Sequence, residues 1–280
     1  MKASTQNRIG DAFSYLFMAV CFIFFAWPLF WLLSLALRTR KEIYLGVSRL
    51  IPHHPTLDNF ITILSSPKFA LYLWNALKLS TMSGIVCLIV ALPAAYAFSR
   101  LPMRGKDPWL MAILAFQMIS PLVIMIPLYR YLAGLGLLDN QPVATLVYTA
   151  LVVPMVTWIL KGFMDGIPRS LDEAALIDGA THFGVFFRVI LPLSTPGIAS
   201  AFIIAVITGW SQFLVPFLLI TKESLTPISV GIFQYAGTQN DSSMQVLAAA
   251  CLVSVAPAII AFLLLQRLIL SAMTAGAVKG

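Results

Sequence analysis

The charged residues between Lys161 and Arg188 form the most chemically informative stretch of this 280-residue sequence. Within it, the run Ser170–Glu173 has the form of a capping box, in which the serine hydroxyl and the glutamate carboxylate each satisfy a backbone amide at a helix start. Acidic side chains are also stabilised near the positive end of a helix. We therefore predict a helix over about 171–178 that ends at Gly179, because glycine readily adopts the left-handed conformation of a C-cap.

A second short helix is predicted to follow, with Thr181 as its N-cap and Arg188 near its end, because a threonine hydroxyl can accept from an amide of the first turn. Ala174 and Ala175 lie on the first of the two helices. They have almost no side chain, so the surface of another molecule can approach that helix closely. A different interpretation is an ordinary amphipathic loop that rests on lipid headgroups.

The sequence lacks the short patterns of membrane enzymes and of ATP-hydrolysing proteins. It contains no H-E-x-x-H, no G-x-S-x-G and no G-x-x-x-x-G-K-[ST]. Its only histidines are His53, His54 and His182, and they form no ligand cluster with its three widely spaced cysteines. The net charge of +7 is distributed over loops, which does not support nucleic-acid binding. We therefore expect no enzymatic activity, no cofactor in this chain and no nucleic-acid partner.

Several polar residues stand in apolar stretches, where their side chains could line a path for a polar solute. Amides and hydroxyls can hydrogen-bond a sugar, and Trp210 can stack on the apolar face of one. The same residue types commonly join packed helices, which is the alternative at each position. The candidates are Gln117, Ser120, Tyr148, Thr149, Thr208, Trp210, Ser211 and Gln212.

The elements that position these residues follow from composition. Only 10% of the residues are charged and 60% are hydrophobic, whereas a soluble domain carries about 25% charged residues. Mean hydropathy is +0.91, and each of six windows free of Asp, Glu, Lys and Arg reaches the roughly 20 residues that a membrane span needs. These windows are 12–37, 79–99, 108–129, 140–160, 189–221 and 242–266.

The fifth window is too long for one span. Pro192 and Pro196 indicate that its helix lies near 198–220, and Gly209 and Pro216 predict a kink inside it. We predict an all-α polytopic membrane protein of six transmembrane helices in one domain over residues 1–280. The charged segment 161–188 then lies between the fourth and the fifth helix.

The distribution of Lys and Arg predicts the orientation, because short inner loops carry an excess of positive charge. The 99–107 connection holds three such residues and favours an inner location. The 38–78 segment, which would then lie on the outer side, holds six and argues against this orientation. We expect the N-terminus and the C-terminus on the inner side, with segment 161–188 inside and segment 222–241 outside.

Charges within a membrane span mark proton relays and voltage sensors, and the six windows contain none. We therefore do not expect a proton-coupled transporter or a voltage-gated channel. A sodium-coupled transporter that binds its ion at broken helices and a passive channel for small polar solutes both remain open on these grounds.

The segment around Glu173 resembles the EAA loop of binding-protein-dependent ABC importer permeases. The wider string 168–193 looks most like carbohydrate permeases of the maltose-transporter type, and the C-terminal 273–280 is similar to the end of the smaller permease of such pairs. In this family a Trp is followed by Asn and an acidic residue, whereas Ser211 and Gln212 follow Trp210 here. The residues that carry the resemblance of the loop are Glu173, Ala174, Ala175, Gly179, Leu191 and Pro192.

The resemblance implies that segment 166–190 contains a cytoplasmic coupling helix, near 171–186, that sits in a groove of an ATP-hydrolysing subunit. Glu173 and Gly179 would be important for that contact. The C-terminal tail 271–280 would reach between two ATPase subunits. Its implied contact residues are Thr274, Gly276 and Lys279.

The resemblance also implies the partners and the location. We expect a second homologous permease subunit, two ABC ATPase subunits that bind ATP and Mg, and an extracytoplasmic solute-binding protein, all at a bacterial cytoplasmic (inner) membrane. The transported solute would be a carbohydrate, in particular an oligosaccharide. The outer segment 222–241, with Phe233 and Tyr235, is the candidate contact for the solute-binding protein.

Overall fold

The computed structural model describes residues 2–44, 50–236 and 244–277, and every regular element in these ranges is helical, as predicted. Before the charged segment lie α1 (Lys2–Ala36), α2 (Arg40–Tyr44), α3 (Asp58–Leu64), α4 (Pro67–Arg100), α5 (Lys106–Ala115), α6 (Pro121–Gly134) and α7 (Gln141–Asp165). From there on lie α8 (Arg169–Ile177), α9 (His182–Val185), α10 (Leu191–Leu193), α11 (Thr195–Trp210), α12 (Leu214–Leu219), α13 (Ile228–Gly231) and α14 (Met244–Ala277).

Four helices are long and apolar enough to cross a membrane: residues Ser14–Ala36 of α1, all of α4, all of α7, and Met244–Leu263 of α14. Two further candidates are bent pairs. Pro108–Met118 meets α6 at 84°, and His182–Leu193 meets α11 at 76°. In the part of the chain that the structure describes, the number of spans is therefore four to six.

The predicted third helix, 108–129, is interrupted at Ile119 and Ser120, whose ψ angles of 126° leave the helical region. The cause is local, because Pro121 disfavours a helical conformation in the residue before it and is itself well suited to start α6. The predicted kink in 198–220 is a full interruption, since residues 211–213 lie in neither α11 nor α12. Charge-free windows report how apolar a segment is, not whether its backbone is continuous.

The second predicted helix, 79–99, is part of a longer one. The charge-free window begins after Lys78, but α4 starts at Pro67 and runs for 34 residues to Arg100. At a rise of about 1.5 Å per residue, α4 is about 51 Å long. It therefore extends beyond a hydrocarbon core about 30 Å thick.

The chain forms two compact units, and the larger one comprises Ala70–Gly231 and Pro257–Gly280. Its core lies among α4, α7 and α11, where small residues such as Ala91, Ala201 and Ala205 are buried. Gly209 is packed so closely that a Cβ there would lie 3.1 Å from the Cα of Ser80. Small residues at helix contacts allow close approach, which is the usual packing mode in membranes.

The other unit comprises Met1–Phe69 and Ile232–Ala256. One feature of this unit is a buried polar cluster: the side chain of Arg38 is buried, and its Nη1 lies 2.8 Å from Oε1 of Glu42. The side-chain amide of Asn59 donates to the carbonyls of Ala36 (2.7 Å) and Arg38 (2.8 Å). These contacts stabilise the end of α1 and the segment that follows it.

Candidate coupling site

The first helix of the charged segment, α8, begins two residues earlier than predicted. Its N-cap is Pro168, with φ −57° and ψ 131°, and no side chain caps it. The predicted capping box is therefore wrong. With Pro168 at the N-cap, Ser170 is already the second residue of the helix, so its hydroxyl is not in the capping position for the amide of Glu173.

The predicted end of this helix at Gly179 is confirmed. Gly179 has φ +89°, in the left-handed region. The amide of Gly179 donates to the carbonyl of Leu176 (3.0 Å), and the amide of Ala180 donates to the carbonyl of Ala175 (2.9 Å). This pair of bonds is a Schellman motif, which satisfies carbonyls at the end of α8 and reverses the chain.

The predicted N-cap of the next helix is also confirmed, because the hydroxyl of Thr181 accepts from the amide of Gly184 at 3.2 Å. The helix α9 continues through a wider π-helical turn at Phe186–Ile190 into α10, which contains Leu191 and Pro192. Single π-helical turns inside helices are frequent at functional sites. The segment is thus two short helices joined by the hydrogen-bonded turn at Gly179.

The surface of α8 combines charged and apolar side chains that are exposed. Glu173 and Ala174 are exposed, whereas Ala175 packs against the core of its unit. Ile177 is 87% exposed and Phe183, on α9, is 73% exposed. Exposed apolar side chains next to carboxylates fit a protein contact better than hydrocarbon, where the charges would be costly.

The last turn of α4 holds this segment in place through Arg100. Its Nε lies 2.8 Å from Oδ2 of Asp172, with side-chain exposures of only 5% and 14%. Its Nη2 donates to the carbonyl of Ile167 at 2.8 Å. One guanidinium therefore contacts both α8 and the turn that precedes it.

Two neighbouring residues of α4 add to this attachment. The hydroxyl of Tyr96 donates to the carbonyl of His182 on α9 (3.1 Å). The hydroxyl of Ser99 donates to Oδ1 of Asp165 (2.6 Å), whose other oxygen lies 2.7 Å from Nζ of Lys161. We did not predict the roles of Tyr96, Ser99 and Arg100. Their spacing of three and four residues places them on one helix face, and polar residues at that spacing were the available signal.

The structure separates the predicted path residues into three groups, of which the first lies at the interruption before α6. Gln117 and Ser120 are exposed there, and Nε2 of Gln117 donates to the carbonyl of Leu151 on α7 (3.2 Å). Ser120 is the N-cap residue of α6 but makes no side-chain cap.

The second group lies at the interruption between α11 and α12. Tyr148 is buried, and its hydroxyl donates to the carbonyl of Gln212 at 3.4 Å. The hydroxyl of Ser229 donates to the same carbonyl at 2.8 Å. Of the predicted residues, Tyr148 and Gln212 are therefore brought together, with Gln212 contributing its backbone.

The third group bonds to its own helix. The hydroxyl of Thr208 donates to the carbonyl of Ile204 (2.7 Å), and that of Ser211 donates to the carbonyl of Thr208 (3.1 Å). Both residues are exposed, and Trp210 is half-buried. The hydroxyl of Thr149 donates to the carbonyl of Thr145 on its own helix (2.8 Å) and also lies within donating distance of the carbonyl of Ser83 on α4 (3.3 Å).

The residues predicted to contact the solute-binding protein lie within 232–236, and those predicted to contact the ATPase subunits lie within 271–280. Phe233 is exposed, and the half-buried Tyr235 has its hydroxyl 3.2 Å from that of Ser66. Thr274 and Gly276 belong to α14. Lys279 lies outside the described residues. Within the described residues, no group of three or more His, Cys, Asp or Glu side chains is arranged to hold a metal ion.

A family model described as the inner membrane component of binding-protein-dependent transport systems matches residues 88–275. The chain belongs to this family. The matched range contains the C-terminal part of α4 from residue 88 to Arg100, together with α8, Gly179 and α9. Family membership confirms the resemblance and decides against a sodium-coupled transporter or a passive channel.

Curated proteins similar to this chain align with nearly all of it. The sulfoquinovosyl glycerol transport system permease protein of Agrobacterium fabrum is 32% identical to this chain. The alignment covers 90% of this chain and 88% of that protein. The galactooligosaccharides transport system permease protein of Bacillus subtilis is 32% identical, with 98% of each chain covered.

The fold also matches a solved structure. A bacterial ABC transporter involved in the import of the acidic polysaccharide alginate superposes with a TM-score of 0.76, at 22% identity, over 94% of this chain and 97% of that chain. The shared architecture is that of an all-helical membrane permease.

Proposed function

We propose that this chain is one permease subunit of an ATP-driven ABC importer that carries an oligosaccharide or a related carbohydrate into a bacterium. The observation that carries the proposal is the exposed surface of α8, which lies inside the family match and is attached to α4 by a nearly buried ion pair. The carbohydrate class follows from the relatives, whose names refer to a sugar glycerol conjugate and to galactooligosaccharides.

In this proposal α8 is the coupling helix, and its exposed side docks on a cytoplasmic ATPase subunit. Glu173 and Ala174 face that subunit, Ala175 and Gly179 fix the shape of the turn, and Leu191 and Pro192 lead into the fifth span. The exposed Ile177 and Phe183 supply apolar contact area. ATP and Mg are bound by the ATPase subunits, and this chain provides binding and movement rather than hydrolysis.

We propose six spans in a single permease domain over residues 1–280. The four uninterrupted helices supply four of them, and Pro108–Met118 with α6 supplies the third in chain order. The fifth is α11 with α12, whereas His182–Leu193 belongs to the segment that leads into it. Both termini and segment 166–190 then lie on the cytoplasmic side of the inner membrane. The tail 271–280 reaches between the ATPase subunits with Thr274, Gly276 and Lys279.

The partners follow from this architecture. One chain with four to six spans encloses too little space for a sugar, so a second homologous permease subunit completes the path. An extracytoplasmic solute-binding protein delivers the solute, and its contact on this chain includes Phe233 and Tyr235. Two ATPase subunits, one for each permease, complete the complex.

The path itself is proposed to run along the two helix interruptions. Non-helical backbone at membrane depth is tolerated where it is buried in protein or lines a cavity. Residues 119–120 and 211–213 lie outside the helices, which supports placing the path beside them. The side chains proposed to line the path are Gln117, Ser120, Tyr148, Thr208, Trp210, Ser211 and Gln212.

The test is transport by the complete complex in proteoliposomes. We expect uptake of a labelled galactooligosaccharide or maltooligosaccharide that requires ATP on the cytoplasmic side and the solute-binding protein on the other side. Uptake that proceeds without ATP, or that follows an imposed sodium gradient, would contradict the proposal. A complex with a hydrolysis-deficient ATPase subunit serves as the control for passive leakage.

A further inference from the structure

We infer that α4 is a mechanical link that transmits movement between the outer loop Glu223–Gly231 and the coupling segment, with Tyr72 and Arg100 as the positioning residues at its two ends. The inference rests on the proposed function, in which the outer segment 222–241 contacts the solute-binding protein and the coupling segment contacts an ATPase subunit. The geometry that carries it lies within one compact unit of the chain.

The inner end of the link is the attachment through Arg100 and Tyr96. The ion pair between Arg100 and Asp172 is nearly buried, and Tyr96 reaches the carbonyl of His182. One face of α4 therefore contacts both α8 and α9. Losing one partner of a desolvated ion pair leaves an uncompensated charge, so this contact resists separation.

The outer end of the link lies in the second turn of α4 and is equally well defined. Tyr72 is fully buried, and its hydroxyl donates to Oε1 of Glu223 at 2.9 Å. The side-chain amide of Asn75 donates to the carbonyls of Ser224 (3.0 Å) and Thr226 (3.1 Å).

The same loop also contacts Tyr72 at its far end. A Cβ at Gly231 would lie only 2.4 Å from the ring of Tyr72, so glycine permits this close approach. Glu223 and Gly231, eight residues apart in the loop, thus contact the same tyrosine. The loop and the outer turn of α4 therefore move together.

Between these two ends α4 stays helical, although Pro93 inside it has no amide and leaves one backbone hydrogen bond of the helix unmade. Tyr72 and Arg100 are 28 residues apart, which corresponds to about 42 Å of helix. This length matches a bilayer with its headgroup regions, about 40–45 Å. The covalent route from the coupling segment to the same loop passes through α11 and α12 and is interrupted at residues 211–213.

A competing link is α7, which continues directly into the turn before α8. At its outer end, the carboxylate of Asp139 accepts from the amides of Thr221 (2.6 Å) and Lys222 (2.8 Å). This contact is exposed, whereas that of Tyr72 with Glu223 is partly buried. The experiment must therefore compare the two outer contacts.

The experiment measures the ATPase activity of the complete complex in nanodiscs, with and without solute-loaded binding protein. We expect Tyr72→Phe and Arg100→Gln each to lower the stimulation by at least about fivefold, as a coupling contribution of ordinary size would. Basal activity and assembly should stay near the wild-type values. Because both changes cut one link in series, the double variant should be no worse than either single variant.

Matched controls separate the link from general damage. Arg104→Gln removes an exposed charge from the loop after α4, and Tyr131→Phe removes an exposed hydroxyl from α6. Both should keep full stimulation. The charge-swapped pair, Arg100→Asp with Asp172→Arg, should recover part of the stimulation that Arg100→Asp alone loses, and it provides the test if Arg100→Gln does not assemble.

Several outcomes would overturn the inference. These are equal losses of basal and stimulated activity, additive effects in the double variant, or stimulation that is lost in Asp139→Asn but kept in Tyr72→Phe. A wild-type complex whose ATPase does not respond to loaded binding protein would instead contradict the proposed function. The two failures are therefore distinguishable.

Discussion

The ring of Phe163, near the end of α7, lies directly over Gly197 of α11, where an added Cβ would be only 2.4 Å from its Cγ. Gly197 is buried, and α7 and α11 form one of the main helix contacts of the core. The glycine is therefore required by close packing and not by its backbone angles. This contact lies beside the coupling segment and sets the distance between the fourth and the proposed fifth span.

Gly197→Ala should destabilise the protein, because overpacking a tight contact costs about 1–3 kcal/mol. The measurement is thermal unfolding of the purified chain or complex in detergent. Gly162→Ala on α7 is the matched control, since a Cβ there meets no atom within 4 Å. The control should be neutral or slightly stabilising, and equal effects of the two changes would show that the Phe163 contact is unimportant.

Substitution of Gly179 should uncouple transport from ATP hydrolysis. Its φ of +89° is disfavoured for any side chain, and the left-handed conformation costs about 1–2 kcal/mol for an L-residue. A Cβ at Gly179 meets no atom within 4 Å, so the effect of Gly179→Ala is conformational and not a clash. We expect reduced sugar uptake per ATP hydrolysed, a larger loss for Gly179→Asp, and a milder loss for Glu173→Ala.

The control for Gly179 is Gly136, which has φ +66° and equally open surroundings but lies in the turn after α6. Gly136→Ala imposes a comparable strain outside the coupling segment. It should leave the ratio of transport to hydrolysis unchanged. If Gly136→Ala lowers this ratio as much as Gly179→Ala does, the effect reflects general destabilisation.

The features that could be predicted from the sequence are local ones. Gly179 and Thr181 were predictable because a helix end depends on a few neighbouring residues. The capping box at Ser170 failed for the same kind of reason, since Pro168 already occupies the N-cap. The interruptions of the helices depend on backbone conformation, as at Ser120 before Pro121. Charge-free windows carry no information about that conformation.

The attachment of the coupling segment could not be predicted. Arg100 and Asp172 are 72 residues apart in sequence, and so their pairing depends on how α4 and α7 pack. The same is true of Tyr72 with Glu223, across 151 residues. Without aligned relatives, a single sequence carries no signal for such pairs beyond the spacing of polar residues on one helix face.

The cap of α9 gives a prediction with an internal control. Thr181→Ala removes the side-chain acceptor for the amide of Gly184 and should cost about 1 kcal/mol, as losing an N-cap usually does. Ser170→Ala should change the free energy of unfolding very little, because α8 has no side-chain cap. Hydrogen exchange of the 182–185 amides is the direct measurement. A loss of protection in Ser170→Ala but not in Thr181→Ala would contradict the assignment of the caps.

The contact between Asp139 and the loop at Thr221 predicts a dependence of stability on pH. Burial raises the pKa of Asp139, but hydrogen bonds from Thr221 and Lys222 outweigh it, and the pKa lies below its ordinary value of 3.8. A lowered pKa means that the carboxylate stabilises the folded state fully above pH 3.8 and that this contribution is lost as the pH falls through the lowered value.

The matched variant is Asp139→Asn, which keeps a residue type that tolerates the φ of +56° at this position but removes the charge. We expect it to lower the unfolding temperature at neutral pH and to have a smaller effect in acid, where the wild-type carboxylate is protonated. Unfolding curves of both proteins between neutral pH and about pH 3 provide the measurement. A constant difference over that range would mean that the Asp139 charge does not hold the loop.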